Sequence, residues 1–307
     1  MSNPGLIDLY TTQFTALLHL KLQQLGSKLR GKVWEGSHQG KMASPVNQIS
    51  AIQLKAPAGR FAPKARTDPT FTRRWVFPQE GEIDQLIDTY DELQTIVDPK
   101  SQYAQNAANA VGRAWDDVII AAAFGTAQIG TDANSLSSET WGSISSSYLV
   151  AENFAASGNV GLTVAKLIEA KRIFRHSHVD LETDPAAVVI GSTQESNLLN
   201  QVQVVSTEFS DRPVLLDGRV QRFLGFDVVV SERLAVATNN RQCIAFVKSG
   251  LYLGVWKDLT NRVSIRNDLS SEPYDLFTAT MYGATRIEPG RVVEVDCYDT
   301  VGADITP

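Results

Sequence analysis

The chain has 307 residues, of which 43% are hydrophobic and 20% charged, and its formal net charge is -6. This is the composition of a globular protein with enough apolar side chains for a sizeable core. The negative charge excludes a global basic field that grips nucleic acid, but it does not exclude a protein that encloses nucleic acid. No apolar run approaches the roughly 20 residues that span a bilayer, and residues 1–5 lack the start of a secretory signal. We therefore expect a cytoplasmic product.

Residues 6–25 are predicted to form one amphipathic helix, because apolar side chains that include Phe14 and Leu18 recur at helical spacing. Glycines at positions 26, 31, 36 and 40 separate this helix from the rest of the chain. It either docks on its own core or forms an arm that docks on a partner, and the arm is our hypothesis. A membrane-surface helix is disfavoured because the polar face is poor in lysine and arginine.

Residues 43–78 are predicted to form a long hairpin of two extended strands with a loose tip at residues 58–70. Five prolines in this stretch exclude a long helix, and alternating apolar residues at both ends are typical of strands. The stretch is basic, and one aspartate, Asp68, opposes its positive charges. The basic residues with a predicted role in contacts are Arg60, Lys64, Arg66, Arg73 and Arg74.

The charge reverses directly after Pro78. Residues 80–98 are predicted to form a helix whose charged residues are all acidic, and Pro99 breaks or kinks it. Residues 100–124 are predicted to continue as an alanine-rich helix. The basic and acidic stretches are either two solvated surfaces or two surfaces that bind each other. The acidic residues with a predicted role are Glu80, Glu82, Asp84, Asp88 and Asp91.

The second half of the chain is predicted to alternate between helices and strands. Residues 125–161, rich in Gly and Ser, are expected to be an irregular connection, with short strands around residues 147–150 as an option. Thr163 is predicted to cap a helix over residues 163–174. A buried strand at 186–190 and a helix at 192–200 follow. Further strands are predicted at 226–231, 243–248, 251–255 and 292–298, the last one half-buried.

Catalytic and ligand-binding motifs are not found in the sequence. There is no GxxxxGK[ST] loop, no GxGxxG that opens a helix and no GxSxG elbow. Gly191, Ser192 and Thr193 follow a predicted strand, and we interpret the serine as a helix cap. His176 and His178 fit a solvated loop better than a metal site, because no third ligand is well spaced. We predict reduced, buried thiols for the two cysteines, no catalytic residue, no metal and no cofactor.

The order of these elements, together with two stretches, resembles a known family. The first stretch, residues 216–231, reads LDGRVQRFLGFDVVVS, and the second, residues 277–286, reads FTATMYGATR before the strand 292–297. Both resemble the major capsid proteins of tailed phages, which have the α+β Hong Kong 97-type fold. The resemblance implies an N-terminal arm (1–42), an extended loop (43–78), a peripheral domain with a spine helix (79–184) and an axial domain (185–281). Residues 282–307 are then the return strand, which completes the peripheral sheet, and the C-terminal tail.

By this resemblance the chain is a virion protein that assembles in the host cytoplasm into pentamers and hexamers of an icosahedral shell. The shell encloses double-stranded DNA without reading its sequence, and separate scaffolding, portal or decoration proteins are candidate partners. Membrane binding is not expected. Two alternatives are an encapsulin-type compartment of the same fold and an enzyme with an unrecognised site. The resemblance also implies that the loop of one subunit lies across the acidic helix of its neighbour, which we favour over two solvated surfaces. The predicted assembly interface therefore comprises the basic residues of the loop, the acidic residues that follow it, and Phe14 and Leu18.

Overall fold

The structure is a computed structural model, and it describes residues 21–56, 59–60, 63, 66–88, 100–201, 215–216, 219–270 and 272–299. These residues form four α-helices and seventeen strands that mix in one α+β fold. In chain order they are β1 (Trp34–Ser37), β2 (Ala43–Ile49), β3 (Phe71–Val76), β4 (Gln79–Ile87), α1 (Lys100–Phe124), β5 (Ala127–Asp132), β6 (Ser135–Glu139), α2 (Trp141–Ile144), β7 (Leu149–Val150), α3 (Val164–His176), β8 (Ala186–Ile190), α4 (Ser192–Leu199), β9 (Leu215–Leu216), β10 (Arg219–Val220), β11 (Arg222–Phe223), β12 (Phe226–Val230), β13 (Val236–Ala237), β14 (Asn240–Val247), β15 (Leu251–Ile265), β16 (Tyr274–Arg286) and β17 (Val292–Tyr298).

The main core surrounds a seven-stranded sheet in the order β11-β12-β8-β14-β17-β7, with β13 beside β14. Strand β8 is an unbroken apolar run, and all five of its residues are buried, as expected for a strand covered on both faces. Helix α3 packs on one face, where Phe174 meets Phe226. Leu29 and Val33 belong to the same core. Thr163 caps α3 by accepting from the Lys166 amide, which confirms the predicted start of this helix.

Strand β17 corrects the expectation for the return strand. It pairs with β14 on one side and β7 on the other, so it lies inside the seven-stranded sheet and not in the sheet of β4 and β16. It is also buried on both faces, whereas a half-buried strand was expected, because Val292 and Val293 point to opposite faces and are both fully buried. A strand that is apolar on both faces is most stable in a sheet interior.

A second sheet has the order β1-β15-β16-β4 and consists mainly of one long antiparallel hairpin, β15–β16. Strand β15 has 15 residues, far longer than the strand predicted at 251–255. Helix α1 lies across one face of this sheet, where Val111 and Trp115 pack with Tyr282. Farther along α1, Ile119 and Ala123 enter the main core. The predicted long alanine-rich helix is therefore confirmed, and it joins the two sheets.

The predicted acidic helix is wrong for its described part, because residues 79–87 form strand β4. Ile83 and Ile87 fit a helical stripe, but they also fit strict alternation. Strand β4 pairs with β16 over nine consecutive residues, from Gln79 opposite Tyr282 to Ile87 opposite Tyr274. The hydrogen bonds of this pairing decide between the two patterns, because β16 offers an edge that only an extended chain can satisfy.

The predicted hairpin of residues 43–78 is confirmed by the antiparallel pairing of β2 with β3. Its sheet continues as β2-β3-β5-β6. Residues 125–161, which were expected to be irregular, therefore supply the strands β5 and β6 and the short helix α2. Strand β7 agrees with the short strand expected around residues 147–150. Small polar residues fit β5 and β6 because several of their side chains face solvent.

The N-terminal segment is bound to its own subunit from residue 23 onwards. Residues 21–25 are not helical, so the predicted helix of residues 6–25 does not reach its expected end, and its residues 6–20 lie outside the described part of the chain. Strand β1 pairs in parallel with β15. Residues 27–37 are thus an integral part of the fold.

Candidate assembly surfaces

Arg73 and Arg74 were both predicted to bind a neighbouring subunit, but β3 directs them to opposite faces. Arg73 is exposed. Arg74 is only 5% exposed, and its Nη1 donates to Glu139 Oε2 at 2.7 Å. The prediction for Arg74 is therefore wrong, because its charge is already paired inside its own subunit. Arg60 and Arg66 are exposed, and Lys64 lies outside the described residues.

Arg74 belongs to a buried ion cluster that sequence reasoning missed. Arg286 is fully buried and donates from Nη1 to the carbonyl oxygens of Ala123 (2.7 Å) and Gly125 (3.0 Å), at the C-terminus of α1. Its Nη2 lies 3.9 Å from Glu139 Oε2, so two arginines share one carboxylate. Burial lowers the pKa of Arg286 to about 10. This cluster joins the hairpin sheet to α1 and β16, because its members come from β3, β6 and β16.

The acidic residues of β4 form one exposed row. Glu80, Glu82 and Asp84 alternate with half-buried residues, so all three carboxylates lie on the face of the sheet away from α1. A hydrogen bond with Asp275 raises the pKa of Asp84, and desolvation and the charge of Asp275 act in the same direction. The acidic surface that the sequence predicts is therefore present, but a strand carries it and not a helix. Asp88 is half-buried, and Asp91 lies outside the described residues.

The same sheet face carries an apolar row and a basic row beside the acidic one. On β16, Phe277 and Met281 lie opposite Asp84 and Glu80. On β15, Lys257 lies opposite Met281 and Arg262 opposite Phe277, and both cations are exposed. The hairpin offers a matching apolar surface, because four large side chains of its two strands and tip are exposed. These are Ile49, Ile52, Leu54 and Phe71.

The N-terminal segment is bound to α1 and β15 by a set of polar contacts. Asp116 on α1 accepts hydrogen bonds from the amides of Lys28 (3.0 Å) and Leu29 (3.1 Å). The Arg30 guanidinium binds both carboxylate oxygens of Asp258 at 3.2 and 3.3 Å and lies over the Trp115 ring. These partners lie 85 or more residues away in the chain, so no local sequence signal reveals them.

The residues that the sequence analysis considered for metal binding or catalysis are two histidines, the turn at residues 191–193 and two cysteines. His176 and His178 are exposed, and the described residues contain no cluster of three metal-ligating side chains. Gly191, not Ser192, is the N-cap of α4, and the Ser192 amide donates to Glu232. Cys243 and Cys297 are free and buried, and a hydrogen bond with Cys297 raises the pKa of the Cys243 thiol. Among the described helices, none is long and apolar enough to cross a bilayer.

Two further ionisable side chains, Lys166 and Glu294, are buried in the core and form hydrogen bonds there. Lys166 is fully buried, and its Nζ donates to the carbonyl oxygens of Val160 (2.8 Å) and Asp296 (2.7 Å). Desolvation lowers its pKa. Glu294 is buried beside Trp141 and Gln242, which both donate to its carboxylate, and desolvation raises its pKa.

The structure combines a helix that joins two sheets, a hairpin with exposed apolar side chains, and a long sheet face with rows of charge. The sequence matches the phage capsid protein family over residues 6–299, and the chain belongs to that family. It is a major capsid shell protein and a virion component. No curated protein matches the sequence.

Solved structures of phage capsids share the fold, which confirms the predicted Hong Kong 97-type class. The capsid of the cyanophage Pam1 is similar with a TM-score of 0.72 and 12% identity, over 94% of this chain and 96% of that chain. The capsid of the cyanophage P-SCSP1u is similar with a TM-score of 0.70 and 16% identity, over 97% and 96%. The capsid of a native GTA particle has a TM-score of 0.66 and 12% identity, over 95% and 96%. The match to the phage capsid protein family favours a phage capsid over the encapsulin-type alternative, which shares the fold.

Proposed function

We propose that this chain assembles into pentamers and hexamers that close an icosahedral shell around double-stranded DNA. Assembly takes place in the host cytoplasm, with separate scaffolding, portal or decoration proteins as partners and without catalysis by the chain itself. The observation that carries the proposal is the hairpin with four exposed large apolar side chains. Neighbouring apolar groups that are exposed on a monomer favour association, because contact with another subunit removes them from water.

The proposed contact joins the basic hairpin of one subunit to the acidic row of another. Arg60, Lys64, Arg66 and Arg73 supply the positive charge, and Glu80, Glu82 and Asp84 supply the negative charge, with Asp88 and Asp91 as alternative partners. Each exposed ion pair contributes only about 0–1 kcal/mol. The apolar row of Phe277 and Met281 beside the carboxylates offers a surface for the apolar side chains of the hairpin, which supply the larger part of the binding free energy.

The arm and the domain limits complete the proposal. The segment before residue 21, with Phe14 and Leu18, binds the shell and not its own subunit. The divisions at residues 42, 78, 184 and 281 mark the arm, loop, peripheral and axial parts. Residues 292–298 contribute a strand to the seven-stranded sheet, whose strands β8, β12 and β14 fall in the axial part, as the pairing of β17 with β14 supports.

Light scattering of the purified protein tests the proposal. The protein is expressed alone and together with its scaffold and is measured over a range of concentration and salt. We expect closed particles or, at least, species with the masses of pentamers and hexamers. A strictly monomeric protein under every one of these conditions would overturn the proposal. Nuclease-resistant DNA in particles from infected cells would separate a DNA-filled capsid from a compartment with protein cargo.

A further inference from the structure

A polar stripe on α1 contacts the N-terminal segment. Asn109, Gly112, Arg113 and Asp116 have the spacing that places residues on one face of a helix. The Gly26 amide donates to Asn109 Oδ1 at 3.1 Å. Arg113 Nη1 donates to Gln23 Oε1 at 2.6 Å and to the Gln24 carbonyl oxygen at 3.3 Å. The stripe thus binds residues 23–29, largely through their backbone.

Asp116 is the centre of this contact. Its carboxylate is fully buried and accepts four hydrogen bonds, from the amides of Lys28 and Leu29 and from the side chains of Gln24 and Ser27. All four donors are neutral and come from one segment of six residues. A carboxylate held in this way binds that segment more strongly than a neutral acceptor would, because hydrogen bonds to an ionised group are the stronger ones.

Gly112 allows the segment to approach the helix closely. A Cβ atom at this position would lie 2.5 Å from the Gly26 carbonyl carbon and 2.6 Å from the Ser27 nitrogen, which are backbone atoms that cannot move aside without moving the segment. Gly26 itself has a φ of +66°, a conformation that favours glycine. The two glycines fit each other at the crossing point, so the path of the chain is defined by shape as well as by hydrogen bonds.

The stripe marks the point where the chain leaves the core. Leu29 is fully buried, whereas Leu22 and Leu25 are exposed. We propose that Asp116 is a positioning residue that clamps the N-terminal arm at its exit, so that Leu22, Leu25 and the segment before them reach a second copy of the chain from a fixed position. This inference rests on the proposed shell function and names the group on which presentation of the arm depends.

Asp116→Asn tests the clamp, and Asp117→Asn is its matched control. The asparagine keeps the shape but loses one acceptor oxygen and the charge. Asp117 is the next residue on the same helix, but its carboxylate pairs with Arg233 instead of the arm. We expect Asp116→Asn to speed hydrogen exchange at the amides of Lys28 and Leu29 by about tenfold or more, to speed tryptic cleavage after Lys28, and to lower particle yield. The melting temperature should stay close to that of Asp117→Asn, which should assemble normally.

Gly112→Ala provides a second test without a change of charge. Its control is Gly142→Ala, where a Cβ would meet no atom within 4 Å. Normal particle yield in Asp116→Asn and Gly112→Ala despite a loosened arm would overturn the proposal, and so would unchanged exchange at Lys28 and Leu29. Global unfolding of both variants would overturn it too, because Asp116 would then be part of the core and not a clamp. If the wild type forms no particles, the shell function fails, while the exchange measurement still reports on the clamp.

Discussion

At the residue scale, replacing the two neighbouring arginines of β3 should have very different effects on the stability of the subunit. Replacing Arg74 by Glu places a second carboxylate beside Glu139 in a buried site, and breaking a buried ion pair typically costs about 3–5 kcal/mol. Arg73→Glu lies on the exposed face and should change the free energy of unfolding by less than about 0.5 kcal/mol. Urea denaturation of the two variants measures the difference. Equal stability of both variants would show that the Arg74–Glu139 contact does not stabilise the subunit.

Glu294 should make the subunit less stable as the pH rises. Desolvation raises its pKa in the folded state above the ordinary value of 4.5, so the folded state holds this proton more tightly than the unfolded state does. Stability from this group is therefore fully present below pH 4.5 and is lost as the pH rises through the folded pKa. Glu294→Gln cannot ionise, so its stability should fall less than that of the wild type over this window. Denaturation curves at several pH values test this, and parallel pH profiles would contradict it.

At the scale of elements, the hairpin and β4 should lose their attraction when one charge is reversed. Arg73→Glu should lower particle yield without a change in melting temperature, because Arg73 is exposed and the acidic row repels the new carboxylate. The effect should shrink at high salt, since the Debye length is about 10 Å at 0.1 M. Glu82→Lys should restore part of the yield in the double variant. Unaltered assembly and salt dependence in Arg73→Glu would show that the hairpin does not meet the acidic row.

The elements that the sequence predicts well are those with a single consistent local signal. The alanine-rich α1, the capped α3, the apolar run of β8 and the proline-bounded hairpin are all of this kind. Strand β4 was missed because its apolar residues fit a helix and a strand equally well, and only pairing with β16 decides. The Arg74–Glu139–Arg286 cluster and the Asp116 clamp were missed for a related reason. Their members are far apart in the sequence, and no local pattern connects them.

At the scale of the whole molecule, the two largest sheets of the subunit differ in how their faces are covered. One sheet is covered on both faces and forms the main core, with β8 and β17 inside it. The other sheet packs α1 on one face and carries on the opposite face an acidic row, an apolar row and a basic row. In the proposed shell, the hairpin of one subunit binds the charged sheet face of another. Such a contact between two different surfaces is heterologous, and it closes into rings or a shell if the rotation between subunits allows it.

Electron microscopy of the assembled particles tests the shell most directly, because it shows both closure and the position of each hairpin. We expect closed icosahedral particles in which the hairpin of each subunit lies over strand β4 of a neighbour. Open tubes or filaments would show that the contacts do not close. Closed shells whose hairpins lie away from β4 would contradict the proposed interface, and a preparation with no particles, with or without scaffold, would contradict the central claim that this chain builds a shell.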